Sequence, residues 1–549
     1  MKIKGNELVA RALRREGIET LFFLMGGPTL GMAADCIAAG LRMIDVRHEQ
    51  AAAMMAHAYS RLRGRPGVCM AASGPGVTNL VTGMANALVD CAPVVALGGC
   101  SPVGEFQTGY FQEIDQVAIM RPVTKWAERC YEASRIPEYI ALAFSQAMSG
   151  KPGPVYLDLP GDVLYAVVEE DEVRWGCPLS QRQIHKPAAS AEAVAELMGL
   201  IDSAECPLIL SGSGIFWSGA SEALTEMVES FGIPFYTTPQ GRGALPDDHP
   251  LTFAAARSAA MREADLVIVV GTRLNYMFGY GKAPRFHTEA KFVRIDIDPT
   301  EIGTDQRADL GIVGDAGTVL RQFTAEGVRR GARRDRFVTW QRRLRALADS
   351  GATKQLDQAK SSNVPIHPMR LCSEVRDFMD RDAILVVDGA EILNYARQSI
   401  PTFVQCHRLN SGPFGTMGVG LPFGLGAKAA KPGQQVIVLH GDGSFGLNGM
   451  ELDTAIRHKL PVLVVISLNG GWSADPTRNK PGRELGYTRF DRMAESLGCH
   501  GEYVEHPDQI RPALDRAMAQ VRQGKTAVVN VLTDWSARSS TANFTTYVT

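Results

Sequence analysis

Gly441-Asp442-Gly443-Ser444-Phe445-Gly446, followed by Met450-Glu451-Leu452, an apolar run from Leu460 to Leu468 and then Asn469-Gly470-Gly471, decides how this chain is read. A loop of small residues lets backbone N–H groups approach a diphosphate, and a helix starting near Gly446 would add its positive N-terminal end. A hard divalent cation takes about six oxygen ligands, and Asp442 and Asn469 supply two of them. The residues between them have room for one helix, Asn448 to His458, and one buried strand, Pro461 to Leu468, so both loops are expected at one sheet edge. A Gly-Asp-Gly turn alone is common. The spacing to a polar Asn469 is what gives it weight.

Composition bounds the rest. At 549 residues the length suggests roughly three domains. With 45% hydrophobic and 21% charged residues and a net charge of -2, the chain is an ordinary globular protein with no electrostatic case for nucleic acid or a membrane surface. A small-molecule partner is expected. Ten cysteines are scattered without a Cys-x-x-Cys pair, which fits reduced thiols better than disulfides or a zinc site. The start, Met1-Lys2-Ile3-Lys4, lacks an apolar signal core, and the end is not a Ser-Lys-Leu address, so a cytoplasmic protein is expected.

Three stretches alternate short β-branched runs with helical patterns, the signature of parallel α/β units, and predict three doubly wound parallel-sheet domains. The first, residues 1–168, holds candidate strands at Leu21–Leu24, Met43–Val46, Gly67–Ala71, Val94–Gly98 and Val155–Leu159. A polar connector leads to residues 189–328, with strands near Pro207–Leu210, Leu266–Val270 and Phe292–Ile297. The basic stretch Arg329 to Arg345 and the polar segment Lys354 to Asn363 read as a surface helix and a linker. Residues 365–534 form the third unit, with helix Pro368–Met379 and strands Ala383–Val387, Val436–Leu439, Val462–Leu468 and Ala527–Leu532. The tail, 535–549, carries Arg538, Phe544 and Tyr547 and is a candidate lid.

His48-Glu49-Gln50 follows the second strand and opens an alanine-rich helix, which makes Glu49 a candidate buried acid. With the downstream Gly-Asp-Gly, the chain resembles the thiamine diphosphate enzymes, whose motif begins with Gly-Asp-Gly and ends in an Asn nearly thirty residues on. The resemblance runs through essentially the whole chain: pyrimidine-binding, central and diphosphate-binding domains. It implies that Asp442, Asn469 and the Gly471 carbonyl hold Mg2+, and that Gly441, Gly443 and Ser444 meet the diphosphate. It implies that Glu49 hydrogen-bonds the aminopyrimidine so that the thiazolium can become a carbene, that Met417 wedges between the cofactor rings and that the Gly415 carbonyl accepts from the aminopyrimidine. Gln112 and Glu113 match positions over the reacting carbon. Because the glutamate and the metal motif lie on different domains, the resemblance implies sites between subunits: a homodimer at minimum, with a tetramer expected.

Gly271-Thr272-Arg273-Leu274-Asn275-Tyr276, Asp388-Gly389-Ala390, Arg408-Leu409-Asn410-Ser411-Gly412 and Phe111-Gln112-Glu113 look like 2-hydroxyacyl-CoA lyases, with oxalyl-CoA decarboxylases close and acetolactate synthases further off. Such a lyase cleaves a 2-hydroxyacyl-CoA to formyl-CoA and an aldehyde or ketone. Arg397 and Arg408 are candidates for the CoA phosphates. Two departures stand out. Gly27 replaces the usual isoleucine before Pro28, which should open space for a branched acyl group such as 2-hydroxyisobutyryl. Glu391 stands where relatives often have Asn, and must point away from phosphates, be protonated or bind the metal's water. Central-domain glycines Gly212 and Gly214 resemble a nucleotide-binding domain that holds ADP, FAD or nothing in relatives; ADP is the candidate and no catalytic flavin is expected.

Overall fold

The structure, a computed structural model, describes residues 1–303, 307–472 and 481–539, with backbone only for 351–355. Two of its three main sheets have six strands and one has five, and every pairing within them is parallel. The runs of Val, Ile, Leu and Ala that make the inner strands are buried on both faces, as a sheet covered by helices on each side requires. Numbered by chain order within each sheet, the strands of the first and third domains lie in the same spatial order, 2-1-3-4-6-5. Those of the central domain lie in the order 2-1-3-4-5. In each, the order reverses between the first and third strands, where a crevice opens at the carboxyl ends. The crevice is flanked by Leu24 and Ala71 in the first domain, by Ser211 and Val270 in the second, and by Asp388 and Gly441 in the third. A two-stranded antiparallel ribbon, Lys2–Lys4 with Val167–Glu169, ties the chain start to the end of the first domain.

The inner strands expected from sequence are present. Besides the two ribbon strands, five strands of the main sheets were not anticipated: Trp126–Arg129, Phe235–Thr237, Leu310–Val313, Arg408–Leu409 and His500–Val504. All five are sheet edges. Three further corrections concern helices. The turn expected to begin near Gly446 begins at Asp442, because Gly441 is extended (φ -82, ψ 155) and serves as the N-cap. The single helix expected from Asn448 to His458 is two, Asp442–Asn448 and Glu451–Arg457. The polar linker expected at Lys354 to Asn363 is helical as far as Ala359, within Val338–Ala359. That helix is anchored in the central core by Trp340, whose Nε1–H donates to the Pro207 carbonyl at 3.1 Å, and by Leu344. Phe544 and Tyr547, the aromatics of the candidate lid, lie outside the described residues.

One apolar core runs through the first and third domains together. Its centre is three helices, Glu49–Arg63, Pro75–Val89 and Gly420–Ala430, that touch through small residues. A side chain on Gly426 would meet the Met55 carbonyl at 2.4 Å, and one on Gly83 would meet the Ala53 Cβ at 2.6 Å. The alanine run Ala51–Ala53 thus sets how near the helices come. Among the described residues, no helix is long and apolar enough to cross a membrane. All ten cysteines are free. Gly426→Val should destabilise the fold by about 1–3 kcal/mol through overpacking against backbone; an unchanged thermal midpoint would contradict this account of the interface.

Candidate functional site

The third-domain crevice brings the two parts of the opening motif together. Strands Val436–Gly441 and Leu463–Leu468 are neighbours, so Asp442 and Asn469 leave adjacent strand ends. Asp442 is buried; its Oδ1 accepts the Gly443 N–H at 2.9 Å and its Oδ2 the Gly470 N–H at 2.7 Å, which joins the two loops directly. Asn469 Oδ1 accepts the Gly471 N–H at 3.1 Å. The available donor set is a carboxylate, an amide oxygen and a backbone carbonyl, all hard oxygens of the kind Mg2+ takes. No cluster of three His, Cys, Asp or Glu occurs among the described residues, so a zinc-type set is not on offer there. Two aromatics that sequence reading passed over shape this corner. The Trp472 ring lies over Gly443, where a Cβ would stand 2.7 Å from it, and Tyr487 lies as close to Gly470 (φ +76).

Behind the motif runs a buried brace that was also missed. Asp388 Oδ2 accepts the Gly420 N–H at 2.9 Å and lies 3.7 Å from His440 Nδ1, which is 3.1 Å from Ser444 Oγ. Ser444 Oγ donates to the Gly441 carbonyl at 2.9 Å, so the proton between histidine and serine sits on Nδ1. Burial pushes the His440 imidazolium down to about 3, so the ring is neutral. Burial pushes the Asp388 carboxyl up to about 7 against the pull of N–H groups from Gly420, Gly418, Gly389 and Val419. The brace spans from the turn before Gly420 to the Gly-Asp-Gly turn. Gly415 (φ +71) is exposed, with nothing within 4 Å of where a Cβ would be, and Met417 is half-buried beside it.

In the first domain, Glu49 is the first residue of its helix and 7% exposed. Its Oε2 accepts the Asn79 amide N–H at 2.9 Å, and Oε1 lies 3.4 Å from where a Gly76 side chain would begin. Gln112 (φ +60) stands over the Ser73–Gly74 turn, its Oε1 accepting from Ser73 Oγ at 3.0 Å. Glu113 is held by its own loop. Its exposed carboxylate accepts N–H groups from its own loop, Gly109 at 2.9 Å and Tyr110 at 3.0 Å as well as Gln107, which hold it below the usual carboxylate range. That leaves Gln112 as the side chain at the turn. Gly27 is exposed, and a Cβ there would meet nothing within 4 Å. Glu391 Oε2 accepts the Ser539 N–H at 3.0 Å.

Between the central and third domains lies a group of arginines. Burial, and then the charges of Arg285, Arg242 and Arg397, push the Arg257 guanidinium down to about 10; burial and Arg242 push Arg397 to about 10 as well. Asp247 offsets Arg242. Tyr276 donates to the Pro413 carbonyl at 3.2 Å and so connects this group to the Gly412–Met417 turn. Arg408 is placed otherwise than expected: it is 2% exposed and donates to the Ile400 carbonyl at 3.3 Å, inside the domain rather than at a surface phosphates could reach. At the central-domain switch point a separate cavity of about 380 Å³ is lined by Ser213, Gly214, Trp217, Lys151, Arg273 and Asp296. Burial pushes the Asp296 carboxyl up to about 6.

Comparison with known proteins places the chain by domain. Residues 3–119 match the thiamine pyrophosphate enzyme N-terminal TPP binding domain, residues 194–323 the central domain and residues 394–531 the C-terminal TPP binding domain. The chain is 35% identical to a probable acetolactate synthase of Mycobacterium bovis, over 96% of each chain. It is 30% identical to 2-hydroxyacyl-CoA lyase 1 of Homo sapiens, over 99% of this chain and 96% of that one. It is 32% identical to oxalyl-CoA decarboxylase of Escherichia coli, over 98% and 97%. Asp442→Ala should abolish Mg2+-dependent uptake of thiamine diphosphate in calorimetry; uptake at wild-type affinity would place the cofactor elsewhere.

Proposed function

The chain belongs to the thiamine pyrophosphate enzyme family, and from that premise we propose that it is a carbon–carbon lyase acting on a 2-hydroxyacyl-CoA. The products are formyl-CoA and an aldehyde or ketone, and the reverse condensation also runs. The observation that carries this reading is the arginine group at Arg242, Arg257, Arg285 and Arg397, joined through Tyr276 to the Gly412–Met417 turn. A CoA thioester brings phosphates that such a group receives, whereas the pyruvate of an acetolactate synthase brings none. Oxalyl-CoA decarboxylation would use the same receptor and remains the second reading.

In this assignment Asp442, Asn469 and the Gly471 carbonyl hold Mg2+, and N–H groups of Gly441, Gly443 and Ser444 face the diphosphate. Thiamine diphosphate, when bound, supplies the electron sink for breaking the bond between the thioester carbonyl and the hydroxyl-bearing carbon. The protein's part is positioning and proton handling. Glu49 would hold a proton at the aminopyrimidine ring nitrogen, the Gly415 carbonyl would receive its amino group, and Met417 would pack against the cofactor's rings. Gln112 orients the substrate hydroxyl. The open face of Gly27 leaves room for a second alkyl branch, as in 2-hydroxyisobutyryl-CoA with acetone as product. The central cavity is the candidate place for ADP.

A homodimer is the minimum unit on this reading, with a tetramer expected. Asn79, which touches Glu49, and Asn86, which donates to the Ser411 carbonyl at 2.8 Å, are seven residues apart on one helix, about 10 Å along its axis. That separation supports a glutamate serving the partner subunit's turn. Exposed apolar side chains near both halves, Phe111, Leu447 and Met450, are suited to burial against a second copy. A cytoplasmic setting accords with the free thiols.

Supplied separately with thiamine diphosphate and Mg2+, 2-hydroxyisobutyryl-CoA should give acetone and formyl-CoA, while oxalyl-CoA and pyruvate should not turn over. Turnover of pyruvate alone would overturn the CoA assignment. Arg257→Ala should raise KM for the CoA thioester about tenfold or more with little change in kcat; an unchanged KM would remove the arginines from the phosphate site. Glu49→Ala should cost about 100-fold or more in kcat, read by steady-state kinetics, and full activity would refute its role.

A further inference from the structure

Glu451 is a buried acid with no part in the chemistry above, and two of its three hydrogen-bond donors are the backbone N–H groups just before Glu49. It opens the helix Glu451–Arg457 of the third domain and is 1% exposed. Its Oε1 accepts two backbone N–H groups of the first domain, Arg47 at 3.1 Å and His48 at 3.1 Å; Oε2 accepts the Thr454 hydroxyl at 2.6 Å and shares the Arg47 N–H at 3.3 Å. Arg47 and His48 immediately precede Glu49. His48 is the extended N-cap (φ -150, ψ 135) of the Glu49 helix, and its ring accepts the Gln50 N–H at 3.1 Å. The N–H groups of Arg47 and His48 are therefore satisfied from the neighbouring domain. A helix entry normally depends on its own cap for this.

We propose that Glu451 is a positioning residue for Glu49, holding the Arg47–His48 backbone from the third domain so that the Glu49 carboxylate keeps its angle to the cofactor. The inference rests on the thiamine reading of Glu49. The ionised carboxylate accepts from all three donors, whereas a neutral carboxyl must turn one oxygen into a donor toward the Thr454 hydroxyl and then receives the two N–H groups more weakly, as a carbonyl oxygen does. Burial pushes this carboxyl up to about 7, against the Thr454 hydroxyl, the Arg47 and His48 N–H groups and the nearby Arg457 charge. The surrounding charges are a half-exposed set: Arg47 lies 3.6 Å from Asp453, and Asp45 pairs with both Arg457 and His458. The hold on Glu49 thus weakens as pH falls through about 7.

The sign separates positioning from a plain structural role. A carboxyl raised above its ordinary 4.5 binds its proton more tightly when folded. Its contribution to stability is therefore full below about 4.5 and lost as pH rises through about 7. On lowering pH from 8 to 6, this group should make the fold more stable while cofactor binding becomes weaker. The test is calorimetric titration of the full-length apoenzyme with thiamine diphosphate and Mg2+ at pH 6, 7 and 8, for wild type, Glu451→Gln and Glu451→Ala. Wild-type affinity should fall about tenfold from pH 8 to 6. Glu451→Gln, which accepts both N–H groups and cannot ionise, should flatten that fall; Glu451→Ala should bind about tenfold more weakly at pH 8. In a Glu49→Gln background the Glu451→Ala effect should vanish, since the two act through one contact. Should Glu451→Ala fail to fold, the Glu451→Gln profile decides. Variants that keep wild-type affinity and its pH dependence would overturn the proposal alone; wild type that binds no thiamine diphosphate at any pH would overturn the reading beneath it as well.

Discussion

The close contact of three helices built from small residues is the constraint on which the rest depends. Glu49–Arg63, Pro75–Val89 and Gly420–Ala430 each begin at a piece of the candidate site: the acid itself, the Ser73–Gly74 turn and the Gly415–Met417 turn. Their approach is limited by backbone, as Gly426 against the Met55 carbonyl shows, so the turns at their starts cannot drift independently. The shared core makes the first and third domains one body, and the turns at the starts of these helices inherit its rigidity.

The same economy appears in the sheets. All three domains place their loops at the point where strand order reverses, and each uses glycine where backbone must pass close to a neighbour. In the third domain that point carries Asp442 and Asn469; in the first, Gly27 and the turn beneath Gln112; in the second, the cavity beside Gly214. Parallel sheets cover their faces with helices and leave only these ends open. Two turns of the third-domain candidate site are then coupled from behind by Asp388, His440 and Ser444, in a fully buried chain.

How much of this was legible follows from the physics of each element. Inner strands such as Leu266–Val270 are apolar on both faces and announce themselves; edge strands such as Arg408–Leu409 and His500–Val504 have one side without a strand partner and mix polar with apolar residues, so no period marks them. Glu49 was readable because it opens an alanine-rich helix straight after a strand, and Asp442 because a small-residue turn flanks it. Trp472 and Tyr487 were not, and neither were the contacts of Asp388 and Glu451, since each acts across a loop or a domain that local pattern does not encode. Arg408 looked like a surface cation and is buried, whereas Arg257, which went unnoticed, stands among the arginines at the domain boundary. The Glu113 carboxylate is engaged by backbone N–H groups of its own loop, a contact that no local pattern announced.

The most direct measurement of the central claim is a structure with thiamine diphosphate, Mg2+ and a non-cleavable 2-hydroxyacyl-CoA analogue bound. The account expects the diphosphate at Gly441–Ser444, the aminopyrimidine against a Glu49 contributed by the partner subunit, and the CoA phosphates among Arg242, Arg257 and Arg397. CoA phosphates seated instead in the cavity beside Gly214, with the arginine group empty, would contradict it.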